Sequence, residues 1–242
     1  MSFVSELEGR LRRGEHLALY GPRGSGKSRV MAALEARIMR EGVPCALSPS
    51  TTSLGDITRV LERAYPGVAT LDVARRSARA RLVRAADQRF GVLLLDHLSD
   101  VSNAMVACLR RLHGGIVGAL SAVDVEDELD RQRMKPWRYG AMSVRMPLLP
   151  DSRLGRLLRT RFASLGLPPL DAALERHLVR AARGRPGWIV ECTELARDAR
   201  YWGEHGLLGS VLCVDTEVAV RYHALECLRP ELDTAGVSRQ PA

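Results

Sequence analysis

Apolar positions follow two regimes along the chain. Up to about residue 149, short apolar runs alternate with segments whose apolar residues recur every three or four positions, and from Pro150 onward only the second pattern remains. In the first regime Leu17 to Tyr20, residues 43–48, 91–96 and 115–122 and the alternating stretch 142–146 read as strands. Phe3 to Arg12, residues 28–40 with Val30, Leu34 and Ile38 a turn apart, 54–64, 71–90 and 101–112 read as helices. Strands alternating with helices predict a parallel sheet covered on both faces. In the second regime Leu154, Leu157, Leu158 and Phe162, then Leu170, Leu174, Leu178 and Ala182, then Ile189, Cys192, Leu195 and Ala196 mark three helices, and residues 214–228 a fourth. The expected division is an α/β core at 1–149, a helical lid at 150–229 and a frayed tail at 230–242.

The first strand runs straight into Gly21-Pro22-Arg23-Gly24-Ser25-Gly26-Lys27-Ser28, which fits G-x-x-x-x-G-K-[ST] at every fixed position and opens the helix that continues through Arg29. Glycines at 21, 24 and 26 allow backbone amides to turn inward, and the helix N-terminus behind them adds partial positive charge. The guest such a loop takes is a nucleoside triphosphate. Lys27 is expected to reach its β- and γ-phosphates and Ser28 to ligate Mg²⁺. Of the 36 Lys and Arg residues only Lys27 and Lys135 are lysine, so a chain that writes its cations as arginine keeps a compact ammonium at this position. The expected fold class is therefore a P-loop NTPase, a parallel sheet between helices, followed by a small all-helical lid.

Residues 91–96, Gly-Val-Leu-Leu-Leu-Asp, form an apolar strand ending in an acid. At the carboxyl end of a buried parallel strand, Asp96 would lie beside the phosphate loop and hold a Mg²⁺-bound water, the Walker B pattern. Ser121 is the candidate polar group for sensing a γ-phosphate, with a plain strand-end serine as the alternative.

The formal charge of +8, with a pI near 9.8, points to a phosphate-rich partner such as DNA, or to a genome-wide preference for arginine codons. The helix expected at 71–90 carries an apolar stripe of Leu71, Ala74, Ala78, Leu82 and Ala85, with Arg75, Arg76, Arg79, Arg81 and Arg84 around it. That basic face suits a nucleic-acid backbone, an acidic subunit or solvent. Five scattered cysteines without a C-x-x-C pair give no disulfide framework or zinc site. No run nears the ~18 to 20 apolar residues of a membrane span and no signal-peptide core opens the chain, so a cytoplasmic protein with no membrane partner is expected.

With both Walker segments and the lid in place, the layout over roughly residues 3 to 228 resembles the AAA+ ATPases. It is most similar to the branch of origin-recognition ATPases and TniB and IstB type transposition helpers, and overlaps in style with STAND regulatory NTPases. Only the two Walker segments are specific. The resemblance implies ATP binding between core and lid, a homo-oligomer in which one subunit's arginine meets the next subunit's γ-phosphate, and use of that switch on a macromolecule, DNA-associated or protein. It places the metal-contacting acid at Asp96 and the arginine finger at Arg138, with Arg133 second. Gly184-Arg185-Pro186-Gly187 resembles both a sensor 2 turn and the GxP turn of STAND proteins. Arg185 or Arg183 would then reach the phosphates and Pro186 the adenine, although Pro186 is also an ordinary first-turn helix residue. One departure matters more than these matches. The family's water-polarising Glu after the Walker B acid is His97 here, and losing a positioned base costs ~10² to 10⁴ in rate, so slow hydrolysis is expected unless Asp100 or a Glu substitutes. A nucleotide-occupied switch fits better than a cycling motor. A small-molecule P-loop kinase is the less favoured alternative, because this chain adds a separate helical block.

Overall fold

The computed structural model describes residues 2–51, 53, 55–57, 59–60, 90–98, 103–113, 116–124, 140–204 and 206–226. The chain divides into two units, one of Met1–Pro22 with Gly26–Met146, the other of Arg23–Ser25 with the chain from Pro147 onward.

In the first unit five strands form one parallel sheet: β1 (His16–Gly21), β2 (Cys45–Ser48), β3 (Phe90–Leu95), β4 (Ile116–Asp124) and β5 (Met142–Arg145), in the order β2-β3-β4-β1-β5. Among the described residues they are accompanied by the helices α1 (Phe3–Arg12), α2 (Lys27–Arg40) and α3 (Asn103–His113), with helical residues also at 55–57 and 59–60. Because successive strand residues point to opposite faces, Leu17, Leu19, Val92, Leu94, Leu120 and Ala122 share one core with Leu7 and Leu11 of α1 and Val30, Met31, Leu34 and Ile38 of α2. Ala18, Leu93, Leu95 and Ala119, on the alternate positions, are buried as well. Both faces are covered, which is why β3 reads as an unbroken apolar run rather than an alternating one. The edge strand β5 leaves Met142 exposed.

Helix α1 is capped by Ser2, whose Oγ accepts from Ser5 N at 3.2 Å. Its Glu8 is buried, an expensive place for a carboxylate, and is held by Arg12 at 2.9 Å and by Arg37 of α2 at 2.8 Å. β3 enters the sheet through Gly91. A Cβ there would lie 1.8 Å from the Pro44 carbonyl oxygen, the acceptor of the 2.8 Å bond from Val92 N. Gly91→Ala is therefore expected to lower stability by about 3 kcal/mol, read as a lower urea midpoint at unchanged slope, because backbone rather than a flexible side chain must move. An unchanged midpoint would refute this account of the β2–β3 contact.

Among its described residues the second unit is helical apart from one short hairpin. Its elements are α4 (Asp151–Ser164), α5 (Ala172–Ala182), α6 (Pro186–Leu195), the antiparallel pair β6 (Trp202–Gly203) and β7 (Gly206–Leu207), and α7 (Gly209–Glu226). Leu154, Leu158, Phe162, Leu178, Trp188, Ile189, Cys192, Tyr201 and Leu212 are its core. Asp171 caps α5 by accepting from the amides of Ala173 and Leu174, both at 2.8 Å. The α5–α6 turn passes through two left-handed residues, Arg183 and Gly184, and a Cβ on Gly184 would sit 2.6 Å from Leu148 Cβ.

Where they fall on described residues the expected elements are observed with shifted ends, and of the helix read at 54–64 only residues 55–57 and 59–60 are described, all helical. Phe90, read as the end of a helix, opens β3, and β4 continues two residues past Ala122. The helix read at 71–90, with its arginine face, lies outside the described residues up to residue 89, as do residues 125–139 and the tail expected at 230–242. Burial pushes the thiols of Cys45 and Cys192 up to about 12, which keeps both in the protonated, unreactive form. Among the described residues no helix is long and apolar enough to cross a membrane.

Candidate functional site

In the first unit the loop begins where β1 ends and finishes in the first turn of α2. Gly26 is the N-cap, held at φ 98°, and no side chain caps the helix. Gly24 is also left-handed, at φ 75°. Two positive φ values within three residues are what the glycine spacing provides, and they leave the first-turn amides of α2 without a side-chain acceptor. Lys27 is 6% exposed, and its Nζ donates to the carbonyl oxygens of Gly21 at 2.7 Å and Pro22 at 2.9 Å. The ammonium is thereby folded back along the loop rather than extended into solvent. Ser28 and Arg29 follow in the first turn of the helix, both exposed.

Asp96 stands just past β3 and is 5% exposed. Its amide donates to Ser48 O at 2.9 Å, so the chain continues the sheet's hydrogen bonding for one more residue. Its Oδ1 accepts from His97 N at 2.9 Å. His97 is left-handed at φ 50°, a conformation that a non-glycine residue adopts at a cost, and its Nε2 lies 3.9 Å from Asp96 Oδ2. The Leu98 amide then donates to Ala122 O at 3.0 Å, which ties this turn to β4.

Ser121 does not close its strand. It pairs with Ala18 and Leu95 inside the sheet, is 4% exposed, and its hydroxyl donates to Leu17 O at 3.4 Å. The residue that the register sets level with Gly21 is Asp124, the last of β4. Ending the strand at Ala122, as the sequence pattern suggests, misses it. The signal is there, since Val123 extends the apolar run to an acid, as Leu95 does before Asp96.

In the second unit Arg23 donates to the Arg221 carbonyl, and Gly24 O accepts from Gly187 N at 2.8 Å. Ser25 is buried. A Cβ on Gly187 would stand 2.8 Å from Gly24 Cα, so this position of the Gly184–Gly187 turn is restricted to glycine by a close backbone approach. Arg185 is 5% exposed and is engaged by its own unit: Nη2 meets Glu217 Oε2 at 2.6 Å, and Nε donates to Ala182 O at 3.0 Å. The hydrogen bonds from Arg185 hold the Glu217 carboxyl below the ordinary range, with a smaller share from Arg221. Arg183, at the C-cap of α5, is exposed. Pro186 is the first residue of α6, the position where a missing N–H costs nothing. The buried Trp188 Nε1 and Thr51 Oγ1 have no hydrogen-bond partner among the described residues. Asp100, Arg133 and Arg138 lie outside the described residues.

The residues present fit a phosphate chain with a divalent cation. The loop offers uncapped amides, curled glycines and an ammonium, and the turn just past β3 offers the carboxylate of Asp96.

No family model matches the sequence, and no curated protein sequence matches it. Solved structures do. The chain is similar to the Orc1 protein of Aeropyrum pernix in complex with DNA at 18% identity and a TM-score of 0.54, over 93% of this chain and 66% of that one. It is similar to Cdc6p of Pyrobaculum aerophilum at 15% identity and a TM-score of 0.53, over 80% of this chain and 61% of that one. The chain has the AAA+ P-loop fold. Domain III of the replication initiation protein DnaA of Thermotoga maritima shares it, at 12% identity and a TM-score of 0.52, over 88% of each chain. This chain spans less than two thirds of the length of Orc1 and Cdc6p, so the likeness covers their AAA+ fold and leaves part of each protein unmatched.

Proposed function

We propose that this chain binds Mg·ATP on the loop from Gly21 to Ser28 and works as a nucleotide-dependent, self-associating switch that recruits or regulates a DNA-associated machinery. The observation that carries the proposal is the backbone of that loop. Left-handed Gly24 and Gly26 lead into an uncapped helix N-terminus with Lys27 buried against it. Residues 21–28 would hold the phosphates, and Ser28 and Asp96 the metal, which neutralises charge on the β- and γ-oxygens when bound. Ser121 and Asp124 are the polar residues of β4 nearest that level of the sheet, and Arg185, if released from Glu217, is the lid cation for the phosphates. Pro186 is the proposed neighbour of the base.

His97 in place of an acid favours slow hydrolysis and hence a switch over a motor. The DNA association draws on the basic balance of the chain and on the structural likeness to an Orc1 protein seen with DNA. Function as a transposition-type helper is the narrower form of this reading. The two units would be the ATPase core and the lid, with Arg138 or Arg133 as the residue donated to a neighbouring subunit.

The test is DNA retention over a salt series with and without a non-hydrolysable ATP analogue. The expected outcome is an analogue-dependent increment of at least about tenfold in retention at low salt, lost in Lys27→Ala. No increment removes the DNA part of the proposal. A Lys27-dependent protein partner with no DNA retention would favour a STAND-like adaptor instead.

A further inference from the structure

The second unit carries a groove of about 410 Å³ between α4 and α5, on helices that contribute none of the residues proposed for ATP. Its floor is made of Gly155 and Val179, both buried, and the groove exists because residue 155 has no side chain. A Cβ there would lie 3.0 Å from Glu175 Oε1. Its walls are arginines, with Arg156 and Arg159 on α4 and Arg176 and Arg180 on α5, against the two carboxylates of Asp151 and Glu175. Arg159 is paired with Glu175, and Arg176 Nε donates to Ala172 O at 3.0 Å. Arg156 and Arg180 are exposed and have no carboxylate within ion-pair distance among the described residues. Arg156 and Arg159 on α4, and Arg176 and Arg180 on α5, are each about one helical turn apart along their helix, so the cations line the groove from both helices beside the apolar floor.

We infer that this groove binds the phosphate backbone of a nucleic acid strand. The cations lie along both walls rather than converging on one point, so they match a chain of charges better than a single phosphate. Guanidinium forks bond phosphate oxygens bidentately, and the small floor lets a backbone settle between the walls. No aromatic side chain lines the groove among the described residues, so bases are neither stacked nor read there, and binding is independent of sequence. The inference rests on the DNA-associated reading above only for its choice of polyanion. It concerns retention that needs no nucleotide, whereas the proposed switch concerns the increment that nucleotide adds.

The test uses the full chain without nucleotide and a single strand of mixed sequence, about 30 nucleotides long, with the affinity measured between roughly 50 and 300 mM salt. In Arg156→Gln/Arg180→Gln the affinity at low salt is expected to fall about tenfold or more. The slope of log K against log salt should become shallower by roughly 1.4, two contacts at about 0.7 each. ATP binding should be unchanged, and both sites are exposed, so a matching thermal midpoint checks the fold. Arg156→Lys/Arg180→Lys should restore most of the slope. An unaltered slope in the glutamine variant overturns the inference, as does no retention of the wild-type chain, or displacement of the strand by polyglutamate as effectively as by unlabelled DNA. Failure of the switch would appear separately, as loss of the ATP-dependent increment with this slope intact.

Discussion

Replacing Lys27 with alanine is expected to weaken ATP binding on the order of 10²- to 10³-fold, measured by titration with a fluorescent ATP analogue in the presence of magnesium. The side chain is 6% exposed and its ammonium sits within the loop on the carbonyls of Gly21 and Pro22. A triphosphate arriving there meets a charge that is already positioned, so little ordering remains to be done. Removing one partner of a buried charge pair costs about 2 to 5 kcal/mol, and about 1.4 kcal/mol corresponds to each factor of ten. The same substitution also deprives two carbonyls of their donor, and that is a structural effect. Lys27→Gln separates the two effects, because its amide can still donate to a loop carbonyl while carrying no charge. It should keep the thermal midpoint close to that of the native chain and lose affinity nearly as far as alanine does. Either variant binding ATP within about threefold of the native chain would overturn the assignment of the loop.

The parts of the fold that were legible beforehand are those set by local physics. The run Leu17 to Tyr20 before a glycine-rich turn, the apolar residues 91–95 before Asp96, and the three- and four-residue spacings after Pro150 each fix an element from a few neighbouring positions. What stayed hidden depends on which element lies beside which. That Ser121 is interior and Asp124 is level with Gly21 follows from the pairing of β1 with β4, residues separated by about a hundred positions. Arg185 reads as a free cation in the sequence, yet its partner Glu217 is 32 residues away on another helix. The left-handed turn at Arg183 and Gly184 and the hairpin of β6 and β7 are too short to leave a periodic trace. Gly155 looks like a weak point in a helix and becomes the floor of a groove only once α5 packs against α4.

His97→Glu is expected to raise the steady-state rate of ATP hydrolysis by ~10² to 10⁴, the range that a well-placed general base contributes. Residue 97 follows the acid at the end of β3. Its amide is bonded to Asp96 Oδ1 and its side chain is 35% exposed beside Asp96, so whatever group stands here borders the proposed metal and remains open to water. A carboxylate at this position can take a proton from an attacking water, which the native imidazole does poorly next to a cation and an ammonium. Glutamate tolerates the φ of 50° less well than histidine, so a stability loss of about 1 kcal/mol should accompany the gain. His97→Gln is the control for shape. It offers similar bulk without a base and should stay at the native rate. Rates should be followed over a series of protein concentrations, since a finger from a neighbouring subunit would make turnover depend on assembly. A gain of less than about threefold in the glutamate variant, or an equal gain in the glutamine variant, would show that residue 97 does not limit hydrolysis. A native chain that already turns over rapidly would remove the argument that this site is built to hold its nucleotide rather than spend it.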